Sequence, residues 1–297
     1  MRLRIVGALA ASALVAAACS GGRATPEHGA PSVVVSYPVL GAVVADLVGD
    51  RADVTVLMGN GVDPHDWSPS AKDIEQVTKA DVVVANGLGL EASLEKTLDE
   101  AAKAGVAVFY ATDHIQVREM AGEPSAGEHA GGDPHFWVDP LSMRDVVAAL
   151  TEELGTRGID VQDRGADLEQ RLVALDAETR TTLAVVAEPN RKLVTGHESM
   201  GYFADRYAFT LVGTVIPGLS SQGEVSAGEL AGLKTEIEAQ GVPAIFTEIG
   251  TPAAVVEAIG RETGAAVVEL PSHTLPADGS YATFIGQIAT AIASALR

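Results

Sequence analysis

Residues 81–85 read Asp-Val-Val-Val-Ala, a short apolar run with no polar face. Such a run predicts a strand that is buried on both sides, as in a parallel sheet. Strands and helices alternate around it in the first half of the chain. The predicted strands are 33–37, 54–57, 81–85 and 106–111, and the predicted helices are 39–48, 70–79 and 91–103. This alternation indicates βα units on a mainly parallel sheet.

The second half of the chain alternates in the same way. Its predicted strands are 192–195, 210–215, 244–248 and 266–270, and its predicted helices are 199–207, 227–240, 252–263 and 281–296. The two halves share no sequence repeat, so their similarity is one of architecture. The predicted fold class is α/β, with two lobes of parallel-sheet βα units at 32–160 and 189–297.

One long helix is predicted to join the two lobes. Segment 161–188 contains no proline and a single glycine, Gly165. Its apolar side chains recur every three or four residues, which is the period of one helix face. We therefore expect a continuous spine helix that restricts hinge motion between the lobes.

The charge balance limits the kinds of partner. The chain has 297 residues, with 20 Lys plus Arg against 40 Asp plus Glu and a formal net charge of −20. Binding to nucleic acid or to an anionic membrane surface needs clustered basic residues, so neither is expected as the main partner. Cations, neutral ligands and basic protein surfaces remain open.

The first residues have the features of an export signal. Two arginines precede an apolar run in segment 1–18, which is shorter than the roughly 20 residues of a membrane-spanning helix. The junction Ala-Ala-Ala-Cys at 16–19 resembles a bacterial lipoprotein signal, which implies that Cys19 carries a lipid. A secreted or periplasmic protein without the lipid is the alternative. Residues 19–31 are predicted to form a flexible tether, and the single cysteine excludes an intrachain disulfide.

Three of the seven histidines share a local context. His65 and His135 each follow Asp-Pro and lie ahead of a predicted helix, whereas His197 follows the strand 192–195. Ligands of open α/β sheets bind outside the carboxyl ends of the strands, and imidazole is the commonest transition-metal ligand. The sequence therefore predicts that these three side chains converge on a metal ion.

The fourth ligand is less clear from the residues alone. Asp278 lies between the last strand and the last helix, where it could equally be a helix cap. Glu198 and Glu248 are the competing carboxylates. His114 and His273 lack the context of the other three histidines and are predicted to be ordinary surface or packing residues.

Four segments together resemble a known family. They are DPHDWSPS at 63–70, DPHFWVDP at 133–140, TGHESMGYF at 195–203 and ADGSYATF at 277–284. The chain is thereby similar to the solute-binding lipoproteins of bacterial ABC importers for zinc and manganese, the cluster A-I family, which has two lobes and a connecting helix. By position, the resemblance implies a metal site made of His65, His135, His197 and Asp278.

The implied ligand set favours zinc. Three imidazoles and one carboxylate suit tetrahedral Zn²⁺, whereas sites richer in oxygen suit Mn²⁺, which is the alternative cargo. Zinc-binding members often carry a histidine-rich loop before the second ligand. The corresponding segment here, 116–132, holds only His129, so a role of this predicted mobile loop in metal capture is weakened.

These observations predict an extracytoplasmic, high-affinity zinc-binding protein that is not an enzyme. It is expected to be a monomer that delivers Zn²⁺ to the membrane permease of an ABC importer, with a metallochaperone as a further candidate partner. The other hypothesis is a zinc-dependent hydrolase, which would need three protein ligands and a metal-bound water. Neither HExxH nor a GxSxG elbow occurs in the sequence.

Overall fold

The computed structural model describes residues 29–119 and 132–297. The predicted signal segment 1–18, Cys19, most of the tether and the greater part of segment 116–132 with His129 lie outside the described residues. The expectations for those parts of the chain therefore stay predictions.

The N-terminal lobe is a parallel four-stranded sheet with helices around it. Its strands are β1 (Ser32–Val35), β2 (Asp53–Val56), β3 (Val82–Ala85) and β4 (Ala107–Tyr110), and its helices are α1 (Pro38–Val48), α2 (Ala71–Lys79) and α3 (Glu95–Lys103). The strand order is β2-β1-β3-β4, and all pairs are parallel. Strand β3 is buried along its whole length, as the Val-Val-Val-Ala run predicts.

The C-terminal lobe has the same topology. Its strands are β5 (Lys192–Thr195), β6 (Thr210–Thr214), β7 (Ala244–Thr247) and β8 (Ala266–Glu269), and its helices are α6 (Gly201–Tyr207), α7 (Ala227–Gln240), α8 (Ala253–Thr263) and α9 (Tyr281–Leu296). The order β6-β5-β7-β8 matches that of the first sheet element by element. The predicted α/β fold with two parallel-sheet lobes is confirmed.

Two helices lie between the sheets. Helix α4 (Pro140–Thr156) begins at the Asp139 cap, and α5 (Gln162–Leu183) is the long helix of the predicted linking segment. Helix α5 packs against α4, against α1 of the first lobe and against α9 of the second. It ends at Leu183, where the Arg191 guanidinium donates hydrogen bonds to the carbonyls of Leu183 and Val186. This side chain satisfies carbonyl groups that the helix end leaves open.

The lobes are held together by packing as well as by the chain. One apolar cluster runs from β1 and α1 through α4 and α5 to α6 and α9. Beside it, the buried carboxylate of Asp139 accepts two hydrogen bonds from the Arg206 guanidinium, at 2.8 and 2.7 Å. These contacts connect the start of α4 to α6 of the other lobe and make the relative position of the lobes well defined.

Two helix boundaries differ from the sequence prediction by four residues or more. The linking helix α5 ends at Leu183, five residues before the predicted end at 188. Helix α3 begins at Glu95, four residues later than predicted, because residues 87–94 form turns in which Gly87 and Gly89 have positive φ. These turns direct the Glu91 carboxylate inward, where it accepts hydrogen bonds from Ser36 Oγ and from the backbone N–H of Asn86. Within the described residues, no helix is long and apolar enough to cross a membrane.

Candidate metal site

Four imidazoles meet in the cleft between the lobes. They belong to His65, His135, His197 and His273, and one ring nitrogen from each lies within 4.8 Å of the others. His65 follows β2 and His135 precedes α4, whereas His197 follows β5 and His273 follows β8. Each lobe therefore contributes two rings. His65 is half-buried, and the other three rings are buried.

The ring nitrogens are spaced as the donors of one small ion would be. His135 Nε2 lies 3.1 Å from His65 Nε2 and 3.2 Å from His197 Nε2. Donors at about 2.0–2.1 Å from a tetrahedral Zn²⁺ are separated by about 3.3–3.4 Å, a distance that follows from the bond length and the tetrahedral angle. The His273 Nε2 atom is buried and has no hydrogen-bond partner among the described residues. A buried imidazole nitrogen without a partner is costly unless it binds something, so the donor set fits a metal ion.

Asp133 orients the ring of His135. Its Oδ1 lies 2.9 Å from His135 Nδ1 and also accepts a hydrogen bond from His135 N. Burial raises the pKa of Asp133 to about 7, against the opposing effects of the His135 N–H and the Arg118 guanidinium. A carboxylate on Nδ1 fixes the tautomer whose Nε2 lone pair faces the metal. The Asp-Pro-His motif therefore supplies both the ligand and its support.

Glu248 has the corresponding position in the second lobe, directly after β7. Its Oε1 lies 3.0 Å from His197 Nδ1 and accepts the His197 backbone N–H, while Oε2 lies 3.9 Å from His273 Nδ1. The hydroxyl groups of Ser199 and Ser272 also donate to this carboxylate. Burial opposes ionisation, but the facing His197 and His273 rings and the Ser272 hydroxyl outweigh it and lower the pKa of Glu248. The group is thus a buried anion beside two of the four histidines.

The prediction for His273 was wrong. This residue is not an ordinary packing residue: its ring stacks on that of His197, at 5.7 Å between centroids, and one of its ring nitrogens belongs to the group of converging donors. Its Nδ1 lies 2.9 Å from Ser272 Oγ. A signal for it exists in the sequence, because His273 follows the predicted strand 266–270 by three residues, much as His197 follows 192–195.

Asp278 has a different place from the one the resemblance implied. It does not belong to the histidine cluster. Its exposed carboxylate accepts hydrogen bonds from Ser280 N at 3.0 Å and from Thr283 Oγ1 at 2.8 Å, at the start of α9. These hydrogen bonds lower the pKa of Asp278 and give it the role of a local helix-start residue. The structure brings His65, His135 and His197 together with His273 and not with Asp278.

The competing carboxylates do not supply the fourth donor either. Neither Glu198 nor Glu248 belongs to the group of converging donors, and Glu248 contacts the far side of the rings. His114 is exposed and stacks on Phe109, as expected for a surface residue.

Trp137 forms an apolar wall of the cluster. Its ring lies 5.1 Å from that of His135 and 5.4 Å from that of His273, centroid to centroid. The indole Nε1–H donates to the Ser272 carbonyl at 2.8 Å, and the Tyr281 hydroxyl donates to the Trp137 carbonyl at 2.8 Å. The first of these hydrogen bonds attaches the segment that carries His135 to the loop that carries His273, so these two rings come from supports that are fixed to each other.

Comparisons with known proteins identify the family and relatives of this chain. Residues 33–295 match the family described as zinc-uptake complex component A, periplasmic (ZnuA). The zinc uptake protein ZnuA of Bacillus subtilis is 31% identical over 277 residues, covering 86% of this chain and 84% of that protein. The manganese-binding lipoprotein MntA of Halalkalibacterium halodurans is 27% identical over 258 residues, covering 85% and 83%. The solved structure of the periplasmic zinc-binding protein TroA from Treponema pallidum superimposes with a TM-score of 0.79 at 27% identity, covering 90% of this chain and 99% of that one.

Proposed function

This chain belongs to the family of periplasmic zinc-uptake complex component A, and we propose that it captures Zn²⁺ between its lobes for delivery to an ABC importer. The observation that carries the proposal is the convergence of four imidazoles, in which His135 Nε2 lies 3.1 Å from His65 Nε2 and 3.2 Å from His197 Nε2. The ligands in this proposal are His65, His135, His197 and His273. His273 replaces Asp278 because one of its ring nitrogens lies among the converging donors and its buried Nε2 has no hydrogen-bond partner among the described residues.

Four imidazole donors favour zinc over manganese. Nitrogen ligands bind Zn²⁺ far more tightly than Mn²⁺, which prefers carboxylate, carbonyl and water oxygens. Two buried carboxyl groups lie beside the rings without belonging to the converging donors: Glu248 is a buried anion that attracts a dication, and Asp133 supports the His135 ring. Manganese remains the second candidate cargo because a manganese-binding lipoprotein is among the relatives.

A closed set of four protein ligands supports transport rather than catalysis. Structural and cargo sites for zinc are four-coordinate, whereas a hydrolytic site leaves one position for an activated water. With four converging nitrogens, a tetrahedral ion has no such position. We therefore propose that the protein is a binding protein and not a zinc-dependent hydrolase.

Location and partners follow from the sequence and from the family. The proposal places the protein on the extracytoplasmic face of the membrane, anchored through a lipid on Cys19, with residues 19–31 as tether. Relatives named as lipoproteins support this arrangement. The proposed partner is the permease of an ABC importer, to which the protein docks as a monomer. Loading by a metallochaperone is a further part of this proposal.

The test compares two single variants and one control in the chain without its signal segment. Zinc content is measured by elemental analysis, and zinc and manganese affinities by calorimetry. Wild type should bind one Zn²⁺ and prefer it to Mn²⁺. His273→Ala should lose affinity by at least about tenfold, because one of four donors is gone. Asp278→Ala and His114→Ala should bind zinc like wild type.

Two results would contradict the proposal. A wild-type protein that does not bind zinc stoichiometrically would exclude Zn²⁺ as the cargo. Loss of zinc binding in Asp278→Ala, with His273→Ala unaffected, would exclude the four-histidine ligand set and restore the carboxylate that the resemblance implied.

A further inference from the structure

A side chain of the first lobe is paired with the backbone of the second lobe beside the metal cluster. Asn60 Nδ2 donates a hydrogen bond to the Leu275 carbonyl at 2.9 Å, and Leu275 N donates to Asn60 Oδ1 at 2.8 Å. The amide thus satisfies both backbone groups of one residue, as a neighbouring strand would. Asn60 belongs to the loop that carries His65, and Leu275 to the loop that carries His273.

A second contact holds the same loop a few residues further on. Asp63 Oδ1 accepts the His65 backbone N–H at 3.0 Å, and Asp63 Oδ2 accepts the Ser221 hydroxyl of the second lobe at 2.5 Å. Gly250 makes this approach possible, because a Cβ at that position would lie 2.6 Å from Asp63 Oδ2. The loop 59–69 is therefore attached to the second lobe through two residues, Asn60 and Asp63, that come shortly before His65 in the chain.

The position of this loop matters for the route of the ion. His65 is the half-buried member of the cluster, and the other three rings are buried. The lobes themselves share one apolar cluster and the Asp139–Arg206 pair, so their wide separation would expose packed surface. Displacement of the 59–66 part of the loop breaks the exposed or half-buried cross-lobe hydrogen bonds at Asn60 and Asp63. Trp67 stays packed against two apolar clusters and accepts a hydrogen bond from Ser93, so it limits the part of the loop that moves. Loops with few buried apolar contacts are where local opening costs least.

We propose that loop 59–69 is the gate of the metal site and that Asn60 is a positioning residue that sets how long the bound ion stays. The proposal rests on the proposed function, because it needs an ion in the four-histidine cluster. Asn60 holds His65 in the cluster through Leu275 and itself donates nothing to the metal. Its loss should therefore change the dissociation rate more than the fold.

The experiment measures zinc dissociation by stopped-flow mixing of zinc-loaded protein with an excess of a chromophoric chelator. Asn60→Ala should release zinc about 5- to 100-fold faster than wild type, the range expected for losing two hydrogen bonds. Ser221→Ala, which loses the cross-lobe hydrogen bond to Asp63, should also release zinc faster than wild type. Asn190→Ala is the matched control, since Asn190 Nδ2 donates to the Leu296 carbonyl at 3.1 Å, at the end of the chain. It should release zinc at the wild-type rate.

The melting temperature of the metal-free proteins separates gating from a general loss of structure. Metal-free Asn60→Ala should have a melting temperature close to that of metal-free Asn190→Ala, and yet release zinc faster than Asn190→Ala does. Equal dissociation rates in wild type, Asn60→Ala and Ser221→Ala would overturn the gate, and they would leave the zinc-binding function intact. If Asn60→Ala does not fold, an unchanged zinc dissociation rate in Ser221→Ala is by itself sufficient to overturn the gate. A wild-type protein that binds no zinc refutes the proposed function instead.

Discussion

Replacing Glu248 by glutamine removes the negative charge behind two of the four histidines and keeps the size of the side chain. In the native protein, the carboxylate lies 3.0 Å from His197 Nδ1 and 3.9 Å from His273 Nδ1. We expect the variant to bind zinc more weakly, because the carboxylate both orients these rings and attracts the dication.

The geometry bounds the size of the effect. A zinc–nitrogen bond of about 2 Å, an imidazole about 2 Å across and the 3.0 Å separation place the charge roughly 6–7 Å from the ion. At an effective dielectric constant of about 20, the gross attraction is about 5 kcal/mol, which is an upper bound. Part of it is offset because the metal-free variant no longer holds a buried anion. Partners behind metal-binding histidines typically contribute 10- to 100-fold, or about 1.4–2.8 kcal/mol, and we expect a loss in that range.

The chain offers a matched control in the other lobe. Glu91 is buried to a similar degree as Glu248 and likewise accepts hydrogen bonds from a serine hydroxyl and a backbone N–H. None of its hydrogen bonds involves a histidine. Glu91→Gln should therefore affect the melting temperature of the metal-free protein and leave the zinc affinity within about threefold of wild type.

Competition calorimetry with a chelator of known affinity measures both variants against wild type. Zinc affinity of Glu248→Gln within about threefold of wild type would refute the assignment of an orienting and electrostatic role. An equal loss in Glu91→Gln would show that removing any buried carboxylate disturbs the site, and it would refute the specific role of Glu248 as well.

Three further predictions follow from packing and charge. Gly165→Ala should destabilise the protein by about 1–3 kcal/mol in thermal unfolding, because a Cβ there would lie 2.3 Å from Thr151 Oγ1 between α5 and α4. Gly232→Ala in α7 meets no atom within 4 Å and should instead stabilise by about 0.5–1 kcal/mol; equal effects of the two substitutions would contradict the packing argument. Zinc affinity should fall as the pH decreases from about 7 to about 5, since protons compete for imidazole lone pairs. Although burial opposes it, the Glu248 charge raises the pKa of His197, whereas burial lowers the pKa of His273 to about 4. His197 should therefore take up its proton at a higher pH than His273, and calorimetry that shows constant zinc affinity over this range would refute the assignment.

Most of the fold could be predicted because its signals are local. The Val-Val-Val-Ala run of β3 and the three- and four-residue spacing of leucines in α5 follow from the geometry of a buried strand and of one helix face. The start of α3 could not be predicted in this way. Helical propensity favours residues 91–94, but the Glu91 carboxylate is held by Ser36 and Asn86, which directly follow β1 and β3.

The same distinction between local and distant contacts applies to the residues of the metal site. His65 and His135 stand in Asp-Pro-His motifs, where the aspartate accepts the histidine N–H two residues later, and that contact is local. His273 carries no such motif, and its role depends on β8 lying beside β7 and on Glu248 beneath the ring. Asp278 differs from His273 in that its contacts are local: hydrogen bonds from Ser280 and Thr283 at the start of α9 satisfy its carboxylate.

The sequence by itself determined the two α/β lobes, the long helix between them and three of the four histidines that the structure brings together, because these follow from local patterns: periodicity, the Asp-Pro-His motif and a position directly after a strand. The tertiary structure decided that the fourth histidine joins them, although its place after a strand resembles that of His197, and it decided the carboxylate behind the ring and the Asn60–Leu275 pair across the cleft. A metal site between lobes is made by side chains that meet after the sheets have packed. Distance along the chain then carries no information about which donor completes the site.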